Sequence, residues 1–179
     1  CGPGAAAAPQ LDDRQHGHDY TVIYFAEEAG LPHDREVKLL LKDSYLAMIQ
    51  NSLGSKLFRN LYAEVKGKER DILRNGDLSC AFYVAMILRQ FRLIAEPHAT
   101  VAGLVRDLEA SGWVKTDIII PGAVVLWEEL PQKSGEKHAH VGFVLNKMTA
   151  ISHSDTERAP VEHHLTFGSE RDGKPKRAI

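Results

Sequence analysis

Cys80 opens the most apolar run of the chain, CAFYVAMILRQF over residues 80–91. Apolar nearly all round, that run predicts a buried central helix. A thiol at the start of a helix faces the unpaired N–H groups of the first turn and the positive end of the helix dipole, and both favour a thiolate. Such a thiol can have its pKa lowered well below ~8.5 and become a nucleophile. The N–H of Cys80, with Ser79 beside it, offers a place for the oxyanion of an attacked carbonyl. The alternative is plain packing, because free cysteines are among the most buried residue types.

A cysteine nucleophile needs a base, and the base needs an orienting partner. His138 and His140 stand two apart in HAHVGFVL, so on a strand they share one face. His140 runs straight into a buried-strand pattern and is the expected base. His153, in AISHS, follows thirteen residues later on what reads as the next hairpin strand, and is the expected third member. His163 and His164 are adjacent and point to opposite faces, so only one can join a site. His138 and His140 with one of His153, His163 or His164 form an alternative metal-ligand set, unsupported by any HExxH motif. His16, His18, His33 and His98 fall in tail or loop and receive no role. No cofactor and no metal are expected.

The elements that must position these residues change character along the chain. Residues 1–18 are Gly/Ala/Pro-rich and then polar, and predict a flexible tail. Residues 19–179 read as one domain. Val22–Phe25 is too short for periodicity to decide between helix and strand. Val37, Leu40, Leu41, Tyr45, Met48, Ile49 and Leu53 follow helical spacing, and Leu57, Phe58, Leu61, Tyr62 and Val65 predict a second helix ending near Gly67. Asn75-Gly76 marks a turn, Asp77 or Ser79 can cap the Cys80 helix, and Val101–Leu108 predicts another short helix. After Gly112 the period becomes that of strands: 118–120, 123–127, 140–145, 150–151 and 161–167, separated by turn signals. Helices first and strands second predict an α+β domain with a mainly antiparallel sheet.

Composition sets outer bounds. The chain has 179 residues, 44% of them hydrophobic, and a formal charge of -2 from 22 basic and 24 acidic residues. That balance argues against nucleic acid as a partner. No run reaches the ~18 apolar residues of a spanning helix. The two cysteines, Cys1 and Cys80, make no disulfide framework and no CxxC pair. Trp113, Trp127 and Tyr83 read as core aromatics before groove-lining ones. Asp107 and Glu109 are two apart on a predicted helix and read as a solvated face. Glu128-Glu129 reads as a charged turn.

From about Val37 to the end, some 140 residues, the chain resembles the NlpC/P60 family of papain-like cysteine peptidases and amidases. The resembling residues are NGDLSCAFYVAMIL around Cys80, PGAVVLW at Pro121–Trp127, HAHVGFVL around His140 and AISHSD around His153. In that family a cysteine opens a buried helix, a strand supplies the histidine base, and a polar residue about a dozen positions later orients it. The chain departs in having Ser79-Cys80-Ala81-Phe82 where Asp-Cys-Ser-Gly is usual, and Ala123 where the strand motif carries Asp. The spacing to His153 is one longer than the family's, which keeps Ser152 open as the orienting position. The resemblance implies a papain-like fold with N-terminal helices packed on the sheet. It also implies a Cys80-His140-His153 triad cleaving an amide or peptide bond, such as a γ-glutamyl bond in a bacterial cell-wall peptide. A cell-envelope or secreted location goes with it. The leading Cys1-Gly2 and its small-residue stretch resemble the start of a mature bacterial lipoprotein, and a fragment boundary explains them equally well. A non-catalytic binding domain on the same fold is the main alternative function.

Overall fold

The computed structural model describes residues 38–131 and 137–179, and residues 39–179 form one compact unit. The expected tail at 1–18 and the apolar stretch at 22–25 lie outside the described residues. Helix α1 (Leu41–Asn51) buries Tyr45 and Ile49, one turn apart. The Tyr45 hydroxyl donates to the Gly122 carbonyl at 2.7 Å, tying the helix to the turn that enters the main sheet.

The second predicted helix does not form. Residues 57–61 are turns and coil, and a hairpin follows, β1 (Tyr62–Val65) pairing with β2 (Lys68–Asp71). Lys66 and Gly67 both have positive φ (54° and 73°), as a tight two-residue hairpin turn requires, and that turn overrides the apolar spacing. The Asp71 carboxylate then accepts the backbone N–H groups of Leu61, Leu73 and Asn75 and the Asn60 side-chain amide. These bonds hold its pKa below the ordinary carboxylate value against the effect of desolvation.

Helix α2 (Cys80–Gln90) is the buried helix that the apolar run predicts, with Ala81–Ala85, Ile87 and Leu88 all in the core. Ser79 takes its N-cap position but makes no side-chain cap bond. Helix α3 (Val101–Ala110) is capped by Thr100, whose hydroxyl accepts from the Gly103 N–H. Asp107 corrects the solvated-face reading: it is buried and accepts from the Ala95 and Glu96 amides, the Ser111 hydroxyl and the His98 ring. His98 therefore has a structural role as well. The four contacts explain a carboxyl held well below its usual range. Glu109 stays exposed, as expected.

Four strands form an antiparallel meander in the order β3 (Val124–Pro131), β4 (Lys137–Val144), β5 (Thr149–Ser154), β6 (Ala159–His164). The expected strand at 118–120 is absent; Ile118, Ile119 and Ile120 are exposed and unpaired in any ladder. One face of the sheet, through Val141, Phe143 and Ile151, packs on α2 and α3. A smaller cluster of Val125, Trp127, Val144, Ala150 and Leu165 forms a second core. The fold is thus α+β with antiparallel sheets, as the change of period predicts. Tyr83, Trp113 and Trp127 are packing aromatics, with their polar atoms bonded to Ser52, the Leu93 carbonyl and the Leu165 carbonyl. Among the described residues no helix is long and apolar enough to cross a membrane.

Candidate active site

Register builds a polar row on the sheet face opposite Val141, Phe143 and Ile151. Gly142 stands opposite Ser152, and Ser152 opposite Val161. Two-residue alternation therefore places His140, Ser152 and His163 on one face of three neighbouring strands. Their side chains meet: His140 Nε2 is 2.8 Å from Ser152 Oγ, and Ser152 Oγ is 2.8 Å from His163 Nε2. His163 Nδ1 lies 2.8 Å from the His164 carbonyl oxygen, where it donates. Aromatic rings hold the imidazoles: Phe167 stacks on His163 at 4.0 Å, and Trp127 lies 5.4 Å from both His140 and His163.

Gly142 makes this contact possible. A Cβ there would stand 2.5 Å from the Ile151 carbonyl oxygen, 2.8 Å from Ser152 Cβ and 3.1 Å from the Trp127 ring. Only a residue without a side chain allows β4 to run this close to Ser152.

Cys80 sits half-buried at the first position of α2, against the core cluster that includes Val141. The backbone N–H groups of Ala81 and Val141 act on its sulfur, and Val141 is the residue directly after His140. Cys80 thus lies against the β4 backbone next to His140, whose ring points to the sheet face opposite Val141, and no hydrogen bond joins the thiol to that ring. Catalytic contacts often tighten only when substrate is bound. Burial pushes the thiol pKa up from the ordinary value, and this outweighs the amides of Ala81, Val141 and Cys80 itself and the nearby Arg177 charge. The expected depressed thiol pKa is therefore corrected: desolvation beats the helix terminus. Burial likewise pushes His140 down to about 3, helped by the charge of Arg177. Thiol and imidazole are thus both favoured in their neutral forms.

His153 does not occupy the position expected of it. One residue along β5 from Ser152, it points to the opposite face and lies in the core, 2% exposed, 6.5 Å from the Tyr83 ring. Neither ring nitrogen has a hydrogen-bond partner. Ser152, left open by the sequence, is the residue that bonds to His140. Ser79 contributes no visible oxyanion group: its hydroxyl is buried and unpartnered.

Burial, then the Arg59 charge, lowers the His153 pKa from 6.5 to about 4. A folded-state pKa below the unfolded value gives stability that is present above the unfolded pKa and is lost as pH falls through the folded one. Acidification from pH 6.5 to 4 should therefore cost up to about 3 kcal/mol at this residue. Unfolding temperature measured across that range should fall, and His153→Leu should flatten the fall. A profile as steep in the variant as in the wild type would show that His153 does not titrate as buried.

Sequence reading missed two groups. His163 carried a signal, since strand alternation admits one of the pair His163 and His164, but nothing in the sequence chose between them. Arg177 carried none. Its guanidinium donates to the Glu128 carbonyl at 3.0 and 2.8 Å and to the His138 carbonyl at 2.8 Å, and lies over the Phe167 ring. The main chain beside it pairs with β3 through Glu128 N–H to the Ala178 carbonyl at 3.0 Å. Its charge favours a Cys80 thiolate and disfavours a His140 imidazolium. Among the described residues no three His, Cys, Asp or Glu side chains gather to hold a metal ion. Comparison of the chain with protein-family models, with curated proteins and with solved structures finds no match to any of them.

Proposed function

We propose that the protein is a thiol hydrolase of amide or peptide bonds, with Cys80 as nucleophile, His140 as base and Ser152 as the residue that orients the base. The observation that carries this is the His140–Ser152 bond on the strand whose next amide acts on the Cys80 sulfur. His140 takes the thiol proton as sulfur attacks the carbonyl carbon, and the Cys80 N–H at the helix start faces the developing oxyanion. His140 then protonates the leaving amine, giving a thioester. Water, deprotonated by the same imidazole, hydrolyses the thioester and restores the thiol. Because the resting pair is neutral, proton transfer and attack proceed together rather than from a preformed ion pair.

The resemblance to NlpC/P60 peptidases supports this reading, with Ser152, twelve residues after His140, filling the orienting position. On that basis the substrate class is a cell-wall peptide or another γ-glutamyl amide. A non-catalytic binding domain is the competing reading, and the raised thiol pKa is what favours it. Cell-wall peptides and γ-glutamyl amides incubated with the full chain, followed by acid quenching and intact mass spectrometry, separate the two. The hydrolase reading expects released amine and an acyl adduct on Cys80, with turnover reduced about tenfold or more in Ser152→Ala and retained in His153→Leu. Binding without adduct or product across those substrates would replace the enzyme by a binding domain.

A further inference from the structure

We infer that His163 is a positioning residue that fixes the tautomer of His140 through the Ser152 hydroxyl, leaving the His140 Nδ1 lone pair free to accept a proton. The catalytic consequence rests on the hydrolase reading above; the hydrogen-bond order itself does not. It begins at a backbone carbonyl. The His164 oxygen can only accept, so the His163 Nδ1 that lies 2.8 Å from it carries a proton. His163 is held neutral, its pKa lowered chiefly by burial, so Nε2 carries the lone pair.

Ser152 has one proton to give. It lies 2.8 Å from both imidazoles and must donate to the Nε2 that cannot donate, that of His163. Its oxygen then accepts from His140 Nε2, which must carry the proton. In a neutral His140 the remaining nitrogen, Nδ1, is the base. The reverse order would require a proton on both nitrogens of His163, an imidazolium in a partly buried place against the Phe167 ring. A serine alone has no preference between donating and accepting; His163 supplies it. The direction is set at one end by a fixed main-chain oxygen and is delivered at the other to the base, across three strands.

The test is tautomer-resolved NMR of the full chain with 15N-labelled histidine near neutral pH. The wild type should show His140 protonated at Nε2 and His163 at Nδ1. His163→Gln, whose side-chain carbonyl can accept from Ser152, should keep the His140 tautomer. His163→Phe, with no acceptor, should give a mixture of His140 tautomers and lower kcat about tenfold with KM little changed. A wild-type His140 protonated at Nδ1 would overturn the inference, and so would an unmixed Nε2–H tautomer in a folded His163→Phe. If His163→Phe fails to fold, the wild-type spectrum still decides. The expected tautomers in a protein that turns over no amide would leave the inference standing and remove the hydrolase reading.

Discussion

Cys80→Ala should abolish turnover of any amide that the wild type cleaves, a loss of about 10⁴-fold or more, and His140→Ala should cost about 10³- to 10⁴-fold. Without sulfur no thioester forms. Without the imidazole a thiol whose pKa is already pushed up by burial has no acceptor for its proton. The two losses should not add, because nucleophile and base act as one unit, and the double variant should be no worse than the weaker single one by more than a few fold. The change removes one small sulfur atom, so it should cost about 1 kcal/mol, and the thermal melt distinguishes lost chemistry from lost fold. Alkylation of wild-type Cys80 by iodoacetamide gives an independent reading. It should be slow at neutral pH and keep rising past pH 9, the thiol's unshifted value. Wild-type turnover in Cys80→Ala would end the scheme, and so would alkylation already at its plateau near neutral pH.

Gly142→Ala should be strongly destabilising. The new Cβ meets a main-chain oxygen, the Ser152 Cβ and the Trp127 ring, none of which is the far end of a flexible side chain. Relief requires β4 and β5 to part, with a cost of about 2–3 kcal/mol. Because Gly142 stands directly opposite Ser152, the same movement lengthens the Ser152–His140 bond, so turnover should fall beyond what the lost stability explains. Denaturant unfolding measures the first effect. The kcat of the fraction still folded measures the second. A variant as stable and active as the wild type would mean that the strands are free to separate at this point.

Period and apolarity told most about the fold where the chain is most buried. The run at 80–91 has no polar face to confuse it, and it is the helix expected. The stripe at 57–65 failed because a short apolar spacing was outweighed by Lys66-Gly67, whose two positive φ values close a hairpin that no periodicity reports. Residues 118–120 are β-branched yet find no neighbouring strand, and propensity without a pairing partner makes no sheet. At the candidate site, the sequence marked His140 by the buried-strand pattern that it runs into, and the structure places it on β4. The residue that bonds to His140 was not singled out, since a one-residue step along a strand moves a side chain to the other face and histidine invites a role that serine does not advertise. Depression of the Cys80 pKa was a reasonable expectation from the helix terminus alone. What the sequence could not show was how much protein would pack over the sulfur.

That covering has a consequence for the lifetime of the protein. Peroxide attacks thiolates, and the passage from sulfenic to sulfinic and sulfonic acid follows thiolate character and access. A cysteine kept protonated at rest by its own burial presents little of the reactive form to oxidants. In the proposed mechanism the thiolate forms only as the sulfur attacks a bound carbonyl. A raised thiol pKa should therefore make Cys80 slower to oxidise than an exposed, acidic thiol would be.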